Sequence, residues 1–465
     1  MIGIRMIIIN RAEHADKFIS PSTTPSDMTP SDMKHLMRTD NKGLLSFFDL
    51  ENKGVAFNHS HIHWKLNRQL YTRAMKAITN SEKTCRMLND LFNEMMAYWI
   101  YLKNPNDNST IIDAVAWMVR FSNDFISAVV IGDRSFAIEA HYHKLKNHDM
   151  SKEMSDSEHV AECITNFVND NQTIFMPKIL RFFPVVRDRV KSLKHTCDFT
   201  YNILVEKIRK RRKVIEKTVN SSNFDSKQLG NDLMTYLIIA NTPYETGSLK
   251  SVDPSLLRPM TDDEVRGPLF DSLLGSDTIA NTLSFVLYYI SRHPNVKEKL
   301  LEEIRTVFKD DMNRPATLDD LNKLRYCEAI IKETTRIRPT AGMISRVTSQ
   351  PDEIAGYNWP SGVFFNMYVR GINNNPLYWK DPDKFMPERF YGSQNNQKYA
   401  FTMFGGGFRM CIGRNLAMLQ MKLLLALLYR KVDIELVDMK ASLNLRTSAT
   451  TVCINLPMKV IHKNL

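Results

Sequence analysis

The segment Phe404-Gly-Gly-Gly-Phe-Arg-Met-Cys411-Ile-Gly413 has the residue types and spacing best suited to chemistry. Three successive glycines let a backbone take positive φ and pass close to something flat or bulky. Arg409 stands two residues before the cysteine and a helix-type run begins just after Gly413. A cation and a helix N-terminus both favour a thiolate. A thiolate on such a loop suits ligation of a metal whose plane lies against the glycines; the plain alternative is a tight turn with an ordinary buried cysteine. Gly405, Gly407 and Met410 miss the last glycine of G-x-G-x-x-G, which excludes a dinucleotide loop. Cys85, Cys163, Cys197, Cys327 and Cys453 are scattered, with no CxxC pair and no histidine at zinc spacing. In a chain of this size that pattern fits a reducing compartment better than a disulfide framework.

Three further constellations carry polar groups at helical spacing. Asp277 and Thr278 interrupt an apolar run, where an acid and a hydroxyl are costly unless they are bonded or serve a purpose; the bland reading is a threonine bonded to its own i−4 carbonyl. Glu333 and Arg336 are three apart and can pair on one helical face; taken alone, such a pair is most often a surface ion pair. Trp64 and Arg68 are four apart, so indole N–H and guanidinium share a face; core packing plus a solvated arginine is the alternative.

The elements that must position these groups are mostly helical. Apolar residues recur at three- and four-residue steps from Ile62 to about Arg305. Leu269, Leu273, Leu274, Ile279, Leu283, Val286, Leu287 and Ile290 predict one long buried helix ending near Arg292, before Pro294. A second helix is expected over Leu321 to Ile337, then strands at Ser345 to Thr348 and Gly362 to Val369. Arg414 to Lys431 is again helical and Val432 to Ile461 alternates as strands do. Arg5 to Asn10 reads as a short strand and Ala12 to Ile19 as a helix. The tandem Thr-Pro-Ser-Asp-Met between Thr24 and Met33 reads as a loop. The fold class expected is mostly α with a small β lobe.

Composition narrows the function classes. Hydrophobic residues are 43% and charged residues 24% of 465, near globular averages, which excludes a disordered or fibrous chain. No run approaches the ~18 apolar residues of a membrane span. The excess of 62 Lys and Arg over 51 Asp and Glu gives a formal charge of +11, suited to acidic partners or anionic membrane surfaces. The basic run Lys207, Arg209, Lys210, Arg211, Arg212 and Lys213 matches a nucleic-acid patch in composition, but as the end of a helix-type segment from Asp198 it reads rather as a solvated helix face; no nucleic-acid partner is expected.

The cysteine segment resembles the haem-binding signature of the cytochrome P-450 monooxygenases, F-x-x-G-x-R-x-C-x-G, at every fixed position: Phe404, Gly407, Arg409, Cys411 and Gly413. Glu333-Thr-Thr-Arg336, the Pro387-Glu-Arg389-Phe390 segment, Trp64-Lys-Leu-Asn-Arg68 and Gly275-Ser-Asp277-Thr278 resemble further family motifs, in the family's order. The resemblance covers roughly Ile4 to Ile461. It implies a single haem-thiolate domain with a long central helix over the haem: residues 1–60 as a residual β lobe and loop, 61–340 as a helical core, 341–400 as β segment and meander, 401–431 as cysteine loop and following helix, and 432–465 as C-terminal strands. By the same resemblance Cys411 is the axial ligand of haem b, while Trp64, Arg68, Arg346 and Arg409 hold its propionates. Thr278 hydrogen-bonds bound dioxygen, and Asp277 passes protons inward. Leu274 and Ile279 depart from the family pattern, which has a small residue and often a second threonine there.

The activity implied is insertion of one oxygen atom from dioxygen into a lipophilic small molecule, with electrons from NADPH through a flavoprotein reductase. Arg409, Arg414 and Lys422 are expected to form its docking face. A reductase-independent isomerase or dehydratase, and a truncated haem-binding homologue without turnover, are the alternatives. The substrate pocket is expected from parts of Thr29 to Asn58, Met176 to Arg187, Phe270 to Thr278, Thr340 to Ser345 and Thr447 to Thr451. The family's anchor, hinge, first helix and first strand are not found ahead of Arg5. Resemblance therefore implies the cytosolic face of the endoplasmic reticulum membrane, with membrane-surface association, and cytoplasm if the chain is complete as given.

Overall fold

The structure is a computed structural model that describes residues 6–19, 42–170, 173, 183–221, 229–245, 254–309, 311–392, 399–448 and 450–463. The tandem Thr-Pro-Ser-Asp-Met segment, and residues 29–41, 176–182 and 449 of the expected pocket, lie outside the described residues.

In chain order the elements are β1 (Met6–Ile9), α1 (Ala12–Ile19), α2 (Lys42–Phe47), α3 (His61–Thr79), α4 (Glu82–Tyr101), β2 (Ser109–Asp113), α5 (Ala114–Val130), α6 (Ala137–Lys146), α7 (Lys152–Asp170), α8 (Pro184–Val219), α9 (Leu233–Ile239), α10 (Asp262–Arg292), α11 (Pro294–Val307), α12 (Leu318–Lys323) and α13 (Arg325–Ile337). There follow β3 (Met343–Val347), β4 (Asp352–Ile354), β5 (Tyr357–Trp359), β6 (Phe364–Tyr368), α14 (Val369–Asn373), α15 (Arg414–Lys431), β7 (Val432–Leu436), β8 (Leu445–Thr447), β9 (Thr451–Cys453) and β10 (Pro457–His462). The expected fold class, mostly helical with small sheets, is what the chain adopts.

The long helix α10 starts at a reciprocal cap in which Thr261 and Glu264 each bond the other's backbone N–H. It packs on α5, α7, α8 and α13, and from Ile279 to Leu287 every side chain is buried. Helix α15 is likewise buried on nearly all sides from Leu416 to Arg430, with Lys422 in its middle and Arg430 near its end drawn inward. Such all-round burial marks a core helix rather than an amphipathic surface one.

Several local expectations change in detail. The segment expected as one helix from Leu321 is two, α12 and α13, because Leu324 leaves the helical region at φ −78 ψ 69. Pro294 both ends α10 and opens α11 at its first position, where its missing N–H costs nothing. Strand β1 pairs in parallel with β6, and β3 pairs with the other edge of β6, giving the order β1-β6-β3. Helix α8 runs from Pro184 to Val219, so the basic run is interior to a helix and not at its end. It is a solvated face only in part: Arg209, Lys210 and Lys213 are exposed, whereas Arg211 bonds Asp232, Thr235 and the Ile131 carbonyl, and Arg212 bonds Asp262 and the Met260 carbonyl. Arg211 and Arg212 clamp α8 to α9 and to the start of α10.

Candidate active site

The cysteine loop is closed by a bond from the Cys411 backbone N–H to the Phe404 carbonyl at 2.9 Å, just before α15 begins. Cys411 is exposed, whereas Cys85, Cys163, Cys197, Cys327 and Cys453 are all buried. The three glycines divide the work. Gly405 and Gly407 take φ of +71° and +59°, which L side chains rarely adopt. Gly406 instead admits a close approach: a Cβ there would lie 2.3 Å from the Ile19 carbonyl oxygen at the end of α1.

Helix α3 presents one face to this loop. Trp64 packs on Phe408 and Val55, and the Arg409 guanidinium lies over its ring at 5.1 Å. Arg68, one turn on, donates to the Met410 carbonyl at 2.7 Å. The expected pairing of Trp64 and Arg68 on a single face is therefore present. Arg409 is buried and donates to the carbonyls of Val55 and Asn58. Arg346, on β3, is also buried and donates to the Ser345 carbonyl at 2.8 Å. Phe404 and Gly413 bracket the loop.

Behind it, Glu333 and Arg336 are wholly buried and joined by two bonds of 2.8 and 2.9 Å. Arg389 approaches the same carboxylate at 3.3 Å, and the Met386 N–H donates to it at 2.9 Å. The remaining Arg336 donors reach the carbonyls of Asn373, Pro382 and Lys384. Every charge in this cluster thus has a partner, as burial requires.

On α10 a stripe of Asp271, Leu274, Gly275 and Thr278 is only partly buried although the helix around it is interior. A Cβ built on Gly275 meets nothing within 4 Å, so the helix borders open space there. The Thr278 hydroxyl donates to the Gly275 carbonyl at 2.9 Å, one residue nearer than the i−4 bond of an ordinary helical threonine. Asp277 is fully buried beside this stripe. Thr165 of α7 donates to its Oδ1 at 3.0 Å and Asn281 to its Oδ2 at 2.9 Å. Burial without a cationic partner pushes its carboxyl up to about 7.

Tyr71 connects the two halves of the site. Its hydroxyl bonds Ser272 of α10, and the charges of both Asp271 and Cys411 raise its pKa, after burial itself. Asp271 accepts the N–H groups of Val55 and Ala56 at 2.6 and 2.8 Å. Neither residue was singled out in the sequence, although Tyr71 continues the face of Trp64 and Arg68 at the next helical step. Asp271 left no local signal, since its partners lie more than 200 residues away.

The family model for Cytochrome P450 matches residues 20–461. The chain belongs to the cytochrome P450 family. Among curated relatives, Cytochrome P450 4d2 of Drosophila melanogaster is 34% identical over 255 residues, 52% of this chain and 47% of that protein. Cytochrome P450 4V2 of Rattus norvegicus is 32% identical over 54% of this chain and 46% of its own length. Cytochrome P450 4e5, mitochondrial, of Drosophila mettleri is 26% identical over 94% of this chain and 77% of its length. The alignments thus span about half the length of the first two relatives. A solved cytochrome P450DA heme domain superposes with a TM-score of 0.75 at 17% identity, covering all of this chain and 89% of that one. That likeness establishes the P450 fold.

The residues present fit a haem. The Trp64 indole N–H is buried and has no hydrogen-bond partner, an expense that an acidic ligand group beside it would relieve. An exposed cysteine and an open stretch of α10 are the other two parts a flat, metal-centred group requires. One part of the P450 reading is corrected. Of the three cations expected to dock a reductase, Arg409 is buried against Trp64 and the Val55 and Asn58 carbonyls, and Lys422, on the enclosed helix α15, is buried and paired with Glu328 at 2.9 Å. Arg414 alone of the three is exposed. Among the described residues no helix is long and apolar enough to cross a membrane.

Proposed function

We propose that this chain is a haem-thiolate monooxygenase acting on a lipophilic small molecule, with Cys411 as the axial ligand of haem b and electrons supplied from NADPH by a flavoprotein reductase. The observation that carries the reading is the exposed Cys411 on its glycine loop, braced by Trp64 and Arg68 of α3, where a buried indole N–H waits for an acceptor. Haem ligated by thiolate supplies oxidising power toward C–H and C=C bonds once dioxygen and electrons are provided.

The protein's own groups do the rest. Phe404, Gly407 and Gly413 shape the loop that presents the sulfur. The indole N–H of Trp64 and the guanidinium of Arg68 serve propionate carboxylates. Arg346 serves them from the β3 side. Arg409 divides its donors between those carboxylates and the carbonyls of Val55 and Asn58 it already holds. Thr278 orients dioxygen with its hydroxyl, and Asp277 holds a proton that can be passed toward it. Leu274 and Gly275 border the substrate space, Leu274 narrowing it. The reductase approaches the exposed rim of the cysteine loop at Arg414. Placement on the cytosolic face of the endoplasmic reticulum membrane follows from the resemblance of the sequence motifs, although one relative, Cytochrome P450 4e5 of Drosophila mettleri, is named mitochondrial.

The test is the visible spectrum of the reduced, carbon-monoxide-bound protein beside that of Cys411→Ala. A strongly red-shifted Soret band that the substitution abolishes supports the reading. Haem bound without that band in the unaltered protein rejects the thiolate assignment. NADPH consumption with a reductase and a lipophilic substrate then tests turnover.

A further inference from the structure

Both oxygens of Asp277 are occupied by groups that lie away from the open face of α10. Oδ1 takes the hydroxyl of Thr165, which α7 carries 112 residues earlier, and Oδ2 takes the amide of Asn281, one turn along α10. Asn281 is itself held in place: its Oδ1 accepts the Cys453 N–H at 2.7 Å, and its Nδ2 also donates to the Asp277 carbonyl at 2.9 Å. Two elements, α7 and α10, thus meet at one carboxyl, and β9 fixes the asparagine that holds it. Asp277 and Thr278 are neighbours in sequence, but on a helix consecutive side chains diverge by about 100°. Thr278 faces the open stripe while Asp277 is turned into the α7 contact.

We infer that Thr165 is a positioning residue for Asp277, a latch on α7 that holds Oδ1 of the carboxyl away from Thr278 while Asn281 anchors Oδ2, so that the placement of α7 regulates proton supply to the site through Oδ1. The inference rests on the proposed function for its catalytic meaning, and on geometry alone for the latch. The latch is uncharged. The titratable groups next to these contacts, Cys163 on α7 and Cys453 on β9, are thiols that burial keeps protonated. Asp124 of α5 is taken up by Ser135 and by the N–H groups of Ala137 and Ile138, and Asp271 of α10 by Val55 and Ala56. Besides burial, Thr165 and Asn281 are the groups that set the proton affinity of Asp277, and both favour the anion. A neutral hydrogen bond breaks far more cheaply than a buried ion pair, which suits a contact that must open in each cycle.

The readout is the carboxylic-acid C=O infrared band of the purified full chain, assigned to Asp277 by its loss in Asp277→Asn and followed against pH. Losing the Thr165 donor raises the proton affinity of the carboxyl, so in Thr165→Val the band should persist to higher pH, by roughly tenfold in proton concentration. Thr165→Ser should restore the wild-type titration, and Thr165→Ala repeats the test should valine disturb helix packing. In turnover, Thr165→Val should change the fraction of NADPH electrons that reach product, and the pH dependence of that fraction, with the carbon-monoxide spectrum intact. A band whose titration is the same in wild type, Thr165→Val and Thr165→Ala overturns the latch. An absent thiolate spectrum with a shifted titration overturns the monooxygenase reading and leaves the latch standing.

Discussion

Trp64 shows how little one side chain needs in order to be informative. Its ring fills a contact with Phe408 and Val55, which any large aromatic would satisfy, while its N–H is buried without a partner. Trp64→Phe keeps the packing and removes the donor. If the N–H serves a haem carboxylate, the substitution should weaken haem retention by roughly tenfold, the worth of a hydrogen bond to a charged group. Haem content after dialysis against apomyoglobin checks this, and unchanged retention would assign Trp64 to packing alone. Asp277 yields a prediction of opposite character. Its folded pKa, about 7, lies above the ordinary 3.8, so the folded state binds more protons than the unfolded state between these values. Stability should therefore be fullest in acid and fall as pH rises through that window. Asp277→Asn should flatten this fall, which urea midpoints at a series of pH values will reveal.

The helices are held by contacts that ignore sequence proximity. Arg211 of α8 reaches Asp232 at 2.8 Å through a space left by two glycines. A Cβ on Gly132 would lie 2.7 Å from both side chains, and one on Gly230 would lie 2.3 Å from Asp232. Removing one partner of a mostly buried ion pair leaves the other uncompensated, so Arg211→Ala should cost about 3 kcal/mol. Lys210→Ala, one residue earlier in the same basic run, should leave the melting temperature unchanged because its pairing with Glu206 is exposed. Equality of the two variants in thermal melts would show that the run is a solvated face after all. The cysteine loop depends on α1 in the same way. Gly406→Ala places a methyl against the Ile19 backbone, and overpacking of this kind costs about 1–3 kcal/mol. Loss of haem together with a lowered melting temperature is the expected result.

For the molecule as a whole, the formal charge of +11 is more relevant to encounter than to folding. Turnover with a reductase should fall steeply as ionic strength rises, since the Debye length shrinks to about 3 Å at 1 M salt. Because Arg409 and Lys422 are buried, Arg414→Glu should produce much of that loss at low salt, and Lys422→Glu should act through stability instead, by setting a like charge beside Glu328 and leaving it only Lys332 as a cationic partner. Salt-insensitive turnover would sink the electrostatic docking idea.

What the sequence determined by itself was local. The ten residues from Phe404 to Gly413, the three-residue step from Glu333 to Arg336 and the four-residue step from Trp64 to Arg68 each specify a geometry that depends only on helix pitch or on the freedom of glycine. The long apolar run fixed the central helix, so these readings needed no knowledge of partners. Tertiary structure decided everything that depends on which surfaces meet. It turned Arg211 and Arg212 of the basic run inward as a clamp, buried two of three cations expected at a docking face, and gave Gly406 to the end of α1. It also bonded Asp277 to Thr165 across 112 residues and Arg409 to carbonyls more than 350 residues away. No periodicity encodes such pairings. They arise because a buried charge or donor must find a partner, and only the packed chain determines which one is within reach.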